Sequence, residues 1–184
     1  MYILLAGHIA ITATNKLITT EKPALCCRFS NRFLSLCDIM SKEALIGRER
    51  IIDVLNEADI KITDDNIFEL GDMGIFGSLW DYAENVGCGL EIMLDKISVR
   101  QETIEIFEEL QINPYTYPSQ GAWLIRSDKT YEIKDILNRA GITASIIGRE
   151  TSNNDRIIIN QDETRFLTPI DRLIKDEQGI RNLR

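Results

Sequence analysis

The stretch Ile67-Phe-Glu-Leu-Gly-Asp-Met-Gly74-Ile-Phe-Gly-Ser-Leu-Trp-Asp-Tyr-Ala-Glu-Asn-Val-Gly87-Cys-Gly-Leu-Glu-Ile92 decides the fold class. Ile67 to Leu70 reads as a short strand that runs into a glycine turn. Ile75, Phe76, Leu79, Trp80, Ala83 and Val86 then recur at helical spacing and make one apolar face. Gly87 stands where a left-handed residue closes a helix. Cys88 to Leu94 follows as a second strand.

Working outward, Ser98 with Gln101 three positions on has the pattern of a capping box, predicting a helix to about Leu110. Two prolines in Asn113-Pro-Tyr-Thr-Tyr-Pro118 predict a loop. Ala122–Ile125 reads as a strand and Tyr131–Ala140 as a helix stopped by Gly141. Ile142–Gly148 and Arg156–Asn160 are β-rich runs separated by the turn-forming Thr151-Ser-Asn-Asn-Asp155. A last short strand is predicted near Arg165–Leu167, so hairpins are expected towards the end of the chain.

Towards the N-terminus, residues 2–6 form an apolar run ended by Gly7, a buried strand. Ile9 to Ile18 fits strand or helix by periodicity. Residues 29–39 and 43–58 have helical spacing, the second with Leu45, Ile51, Ile52, Leu55 and Ala58 on one side. A polar, acidic connector spans residues 59–66. Helices and strands mixed in this order predict an α+β fold.

The chain has 184 residues, 44% of them hydrophobic, and a formal charge of −8. Residues 58–123 hold 3 basic and 13 acidic side chains, against 7 and 6 in residues 1–57 and 11 and 10 in residues 124–184. An acidic chain without a basic stripe repels phosphate backbones, so no nucleic-acid partner is expected. Cys26, Cys27, Cys37 and Cys88 lack C-x-x-C spacing and His8 is the only histidine, which argues against zinc. They read as reduced thiols of a cytoplasmic protein. The apolar start is far too short for a bilayer span and lacks a basic flank, so neither membrane nor signal peptide is expected.

Gly71, Gly74 and Gly77 open the Trp80 helix. Glycines there allow a ligand close to the backbone, and free helix N–H groups attract phosphate. The spacing is not the dinucleotide fingerprint, and a plain strand-to-helix turn, with Gly77 allowing close packing, is the preferred account. Asp64, Asp65, Glu69 and Asp72 crowd the same region. They read either as Mg²⁺ ligands or as a solvated connector. His8 has no identifiable nucleophile to serve.

Gly74-Ile-Phe-Gly-Ser-Leu-Trp-Asp-Tyr-Ala-Glu-Asn-Val-Gly-Cys-Gly-Leu-Glu-Ile92 resembles the C-terminal domain of the aminoimidazole ribonucleotide synthase (PurM-like) superfamily. So do Asp95-Lys-Ile-Ser-Val-Arg-Gln-Glu-Thr103, Ile112-Asn-Pro-Tyr115, Ser119-Gln-Gly-Ala-Trp-Leu-Ile125, Ala140-Gly-Ile-Thr-Ala-Ser-Ile-Ile-Gly-Arg149 and Arg156-Ile-Ile-Ile-Asn160. The most similar branch is the hydrogenase maturation factor type, whose members dehydrate a thiocarbamate to a nitrile. The resemblance implies one domain with a mixed sheet packed by helices, its core in residues 67–168, an N-terminal part in 1–66 and a tail in 169–184. It also implies ATP with Mg²⁺. Thr14, Gly71, Gly74 and Gly77 would then lie at the nucleotide and Glu69 and Asp72 at the metal.

Departures of three kinds, in domain content, in two motifs and at the terminus, shape the expected function. The family places a further domain, with much of the ATP site, before this one. The family's H-D-x-T-x-G-G stretch falls on Phe68-Glu-Leu-Gly-Asp-Met-Gly74 and keeps only Gly74. Its G-x-x-G-T falls on Ala10-Ile-Thr-Ala-Thr14 and keeps only Thr14. Hydrogenase-type members end in a cysteine that carries the carbamoyl group, whereas this sequence reads Ile180-Arg-Asn-Leu-Arg184, which taken as the terminus excludes self-cyanylation. The expectation is a degenerate domain without a full catalytic cycle of its own, paired with a partner domain, a separate subunit or a second copy. The alternatives are a scaffold module and an enzyme completed in trans.

Overall fold

The computed structural model describes residues 1–169. The elements in chain order are β1 (Tyr2–Ala6), α1 (Ile11–Thr20), α2 (Lys22–Leu25), α3 (Asn31–Glu43), α4 (Arg48–Glu57) and β2 (Ile67–Glu69). Then come α5 (Gly74–Val86), β3 (Gly89–Met93), α6 (Gln101–Glu109), β4 (Trp123–Ser127), α7 (Thr130–Arg139), β5 (Ala144–Thr151), β6 (Arg156–Asn160) and β7 (Glu163–Phe166). The strands form one sheet in the order β2-β4-β1-β5-β3-β6-β7. Only β3 and β6 run parallel among the paired strands, so the sheet is mixed and the fold is α+β.

The apolar run at residues 3–6 follows from the position of β1 in the middle of this sheet, covered on both faces. Successive side chains of a strand point to opposite faces. Ile3 and Leu5 accordingly join the core under α1, α3, α5 and α6, while Leu4 and Ala6 join the one under α4 and α7. β4 divides in the same way, Leu124 to the first core and Trp123 and Ile125 to the second.

One open reading is settled and three expectations are corrected. The ambiguous run after Gly7 is helical from Ile11, led in by Ala10 at φ 57°. The second N-terminal helix starts only at Arg48, which leaves Leu45 outside it and 42% exposed. No capping box opens α6: its N-cap is Arg100, without a side-chain bond, and the Ser98 hydroxyl donates to Gly7 O at 2.6 Å instead. β5 and β6 are not a hairpin, because β3 lies between them, antiparallel to β5 and parallel to β6. Adjacency in sequence favoured the hairpin; the longer-range β3 pairing, which also buries Leu90 and Ile92, prevails. The β6–β7 hairpin is present. Most of the expected tail, from residue 170, lies outside the described residues. Among the described residues no helix is long and apolar enough to cross a membrane.

Candidate functional site

The loops that follow β1 and β2 and precede β4 meet at the start of α5. Glu69, at the end of edge strand β2, accepts the Gly121 N–H on Oε1 at 3.0 Å. Asp72 accepts from Gln120 Nε2. Gly71 O accepts the N–H groups of Ser119 (3.3 Å) and Gly74 (3.2 Å), and Leu70 N–H donates to Ala122 O at 2.9 Å. The Ser78 hydroxyl takes the Gly71 N–H at 2.9 Å and donates to Gly74 O at 2.9 Å, so the helix start is tied from within.

The structure thus brings Glu69, Gly71, Asp72, Gly74 and Gly77 together, but commits the two carboxylates to the 120–121 loop. Among the described residues no cluster of three or more His, Cys, Asp or Glu side chains could hold a metal. Gly74 adopts φ +66°, and a Cβ there would lie 2.5 Å from Tyr115 O and 2.7 Å from Thr116 C and Tyr117 N. Its space is occupied by the chain's own backbone. Gly71 differs: a Cβ there would meet nothing within 4 Å. Gly77 is buried within α5.

Thr14 is fully buried in α1. Its hydroxyl bonds Ala10 O at 2.7 Å and the Thr103 hydroxyl of α6 at 2.8 Å. Ala10, where the family has glycine, holds a left-handed conformation, and its N–H donates to the buried Ser119 hydroxyl at 2.8 Å. Thr12 Oγ1 donates to Gln120 O at 3.0 Å. Ser119 and Gln120 are therefore the hub between α1 and the α5 start. Sequence reading missed them because a short polar stretch before a strand carries no periodic signal.

His8, in the loop after β1, has its Nδ1 buried and without a partner among the described residues. Burial first, and Arg100 next, push its pKa below the ordinary value, against the pull of Glu102. The Arg100 guanidinium grips Glu102 at 3.1 and 3.2 Å and, as the largest cause, lowers that carboxyl's pKa. Asn15 Oδ1 and Gln120 Oε1 are two further buried acceptors without a donor among the described residues. Asp72 can only accept, so it fixes the Gln120 amide with Nε2 towards itself and Oε1 away.

This architecture matches solved structures across nearly its whole described length. The hydrogenase maturation protein HypE of E. coli superposes with a TM-score of 0.68 at 16% identity, over 92% of this chain and 49% of that one. The fold is PurM-like. A HypE structure in complex with ATP superposes with a TM-score of 0.61 at 12% identity, over 94% of this chain and 51% of that one. Among curated proteins, the phosphoribosylformylglycinamidine synthase subunit PurL of Campylobacter lari is 32% identical over 109 residues, 58% of this chain and 14% of the relative. No protein-family model matches the chain. The PurM-like chain thus spans about half of these solved chains and a small part of the curated relative.

Proposed function

We propose that this PurM-like chain is a degenerate relative of the hydrogenase-maturation branch, which supports a nucleotide-dependent protein without completing nucleotide chemistry itself. The observation that carries this reading is the filled space at Gly74. A backbone that approaches a glycine to within 2.5 Å of the missing Cβ leaves no room for a phosphate on that side. The engagement of Glu69 and Asp72 with Gly121 and Gln120 supports it, since a Mg²⁺ ion would compete with those bonds for both carboxylates. ATP is bound by one of the HypE proteins of this fold. Any nucleotide contact retained here falls at Gly71, where the surface is open, with Asp72 as the nearest acidic group for Mg²⁺. Calorimetric titration with Mg-ATP tests this. No saturable heat at micromolar nucleotide is expected. Saturable micromolar binding that Asp72→Asn weakens would overturn the degenerate reading and restore an active site.

A scaffold role is the second reading, favoured by one feature. Leu36 and Ile39 stand 53% and 54% exposed on α3, three residues apart and hence neighbours on one helix face. Sedimentation across a concentration series tests it: a rising mass, suppressed by Leu36→Glu with Ile39→Lys, supports docking through α3, and a constant mass with no captured partner domain removes it.

A further inference from the structure

A different chemistry occupies the far end of α5. The helix is 13 residues long, so this end lies about 20 Å from the Gly74 turn at ~1.5 Å per residue. An open pocket of about 470 Å³ is formed there by the last turn of α5 and the loops around β6 and β7. That volume falls within the range of small-molecule sites, about 300–1,000 Å³. Trp80, Ala83 and Phe166 give it an apolar lining, and Arg156 supplies the cation. The Arg156 guanidinium stacks on Trp80, Cζ 3.9 Å from the ring centroid. Its side chain is only 12% exposed. Nη2 donates to Glu84 Oε1 at 2.6 Å, while Nε and Nη1 are buried with no acceptor among the described residues.

A buried guanidinium with most of its donors unfilled is costly, and the cost falls when an anion arrives. The single acceptor it has among the described residues, Glu84, is 60% exposed and free to swing into water. We propose that this pocket binds an apolar monocarboxylate, which replaces Glu84 on Arg156 and lays its hydrocarbon part against Trp80 and Phe166. A single negative charge is favoured over a phosphate, because Glu84 and Asp155 also line the pocket and repel a dianion. A guanidinium carries planar, paired donors, the geometry that carboxylates match. Glu84 acts as a built-in competitor that holds the arginine when no ligand is present.

Benzoate and phenyl phosphate are the probes, titrated into the purified chain by calorimetry and followed by the Trp80 indole N–H signal in NMR spectra. Benzoate is expected to saturate with a Kd of about 1 mM, ordinary for so small a ligand. Glu84→Gln removes the competitor and is expected to tighten binding at least threefold, and Arg156→Lys to weaken it at least tenfold. Glu84 is exposed, so its variant tests the proposal even if Arg156→Lys fails to fold. Absence of saturation by benzoate, weaker binding in Glu84→Gln, or binding unchanged in a folded Arg156→Lys would each overturn the site. Phenyl phosphate binding more tightly than benzoate would overturn the carboxylate assignment.

Discussion

The two ends of α5 treat their polar groups in opposite ways. At its start, glycines, a serine and two carboxylates lie close together, the composition of a ligand cradle, and their hydrogen bonds close on the protein itself. The buried groups without a partner around it among the described residues, on His8, Gln120 and Asn15, are neutral. At its far end a cation is left with unfilled donors beside open space. A neutral orphan costs about 1–3 kcal/mol and a charged one more, so binding has more to gain at the far end. Motif-like composition marks where a backbone must turn tightly; an unmet charge marks where a partner is favoured.

The largest effect that separates the ends is expected from glycine substitution. Gly74→Val combines a left-handed β-branched residue with collision against the 115–117 backbone, and should cost about 3–5 kcal/mol. In a thermal melt this should leave little folded protein. Gly71→Ala should change stability by less than ~1 kcal/mol, because its φ is not positive and its Cβ position is open. If both variants melt alike, the α5 start is not the closed junction described here.

Thr14→Val comes next. It leaves the buried Thr103 hydroxyl without its partner, at a cost of about 1–3 kcal/mol. Replacing both with valine should recover part of the loss, since neither hydroxyl is then orphaned. A double variant less stable than the single one would show that the pair serves something other than the α1–α6 contact.

Ala10→Gly should act in the other direction. Ala10 sits at φ 57°, and glycine relieves the left-handed penalty of about 1 kcal/mol. Denaturant unfolding should show a gain of that order. The alanine does not abolish the α1 turn; it strains it. A loss of stability would mean that the methyl packing of Ala10, which is fully buried, outweighs the strain.

How much of this was legible in the sequence follows from range. α5 and its Gly87 stop, the buried β1 and the β6–β7 hairpin are local patterns of period or turn chemistry, and they stand where the sequence placed them. The position of β3 between β5 and β6 depends on which strands meet across the whole chain, and no local pattern encodes it. The same holds for sites. The glycines and acids at the α5 start are visible as a cluster in one short stretch, but their bonds to Gln120 and Gly121 span 48 and 52 positions. Arg156 and Glu84, 72 positions apart, gave no signal. Ser98 with Gln101 had the right spacing for a cap, and the tertiary bond to Gly7 O took the hydroxyl.

The smallest expected effect is a titration. His8 is the only histidine, so its ring signals are unambiguous, and they report whether the loop after β1, whose Ala10 N–H donates to the Ser119 hydroxyl, is closed to water beside Arg100 and Glu102. Burial and Arg100 depress its folded pKa, so the neutral ring is the form that the folded chain prefers. The associated stability is fully present above the unfolded value of about 6.5 and is lost as pH falls through the lower folded value, because the unfolded chain then binds the proton more readily. The NMR midpoint should therefore lie below 6.5, and His8→Gln should flatten the fall in stability over that acid window. A midpoint at or above the ordinary value would place His8 in water. The loop that ties α1 to Ser119 would then be open, and the closed reading of the α5 start would lose that support.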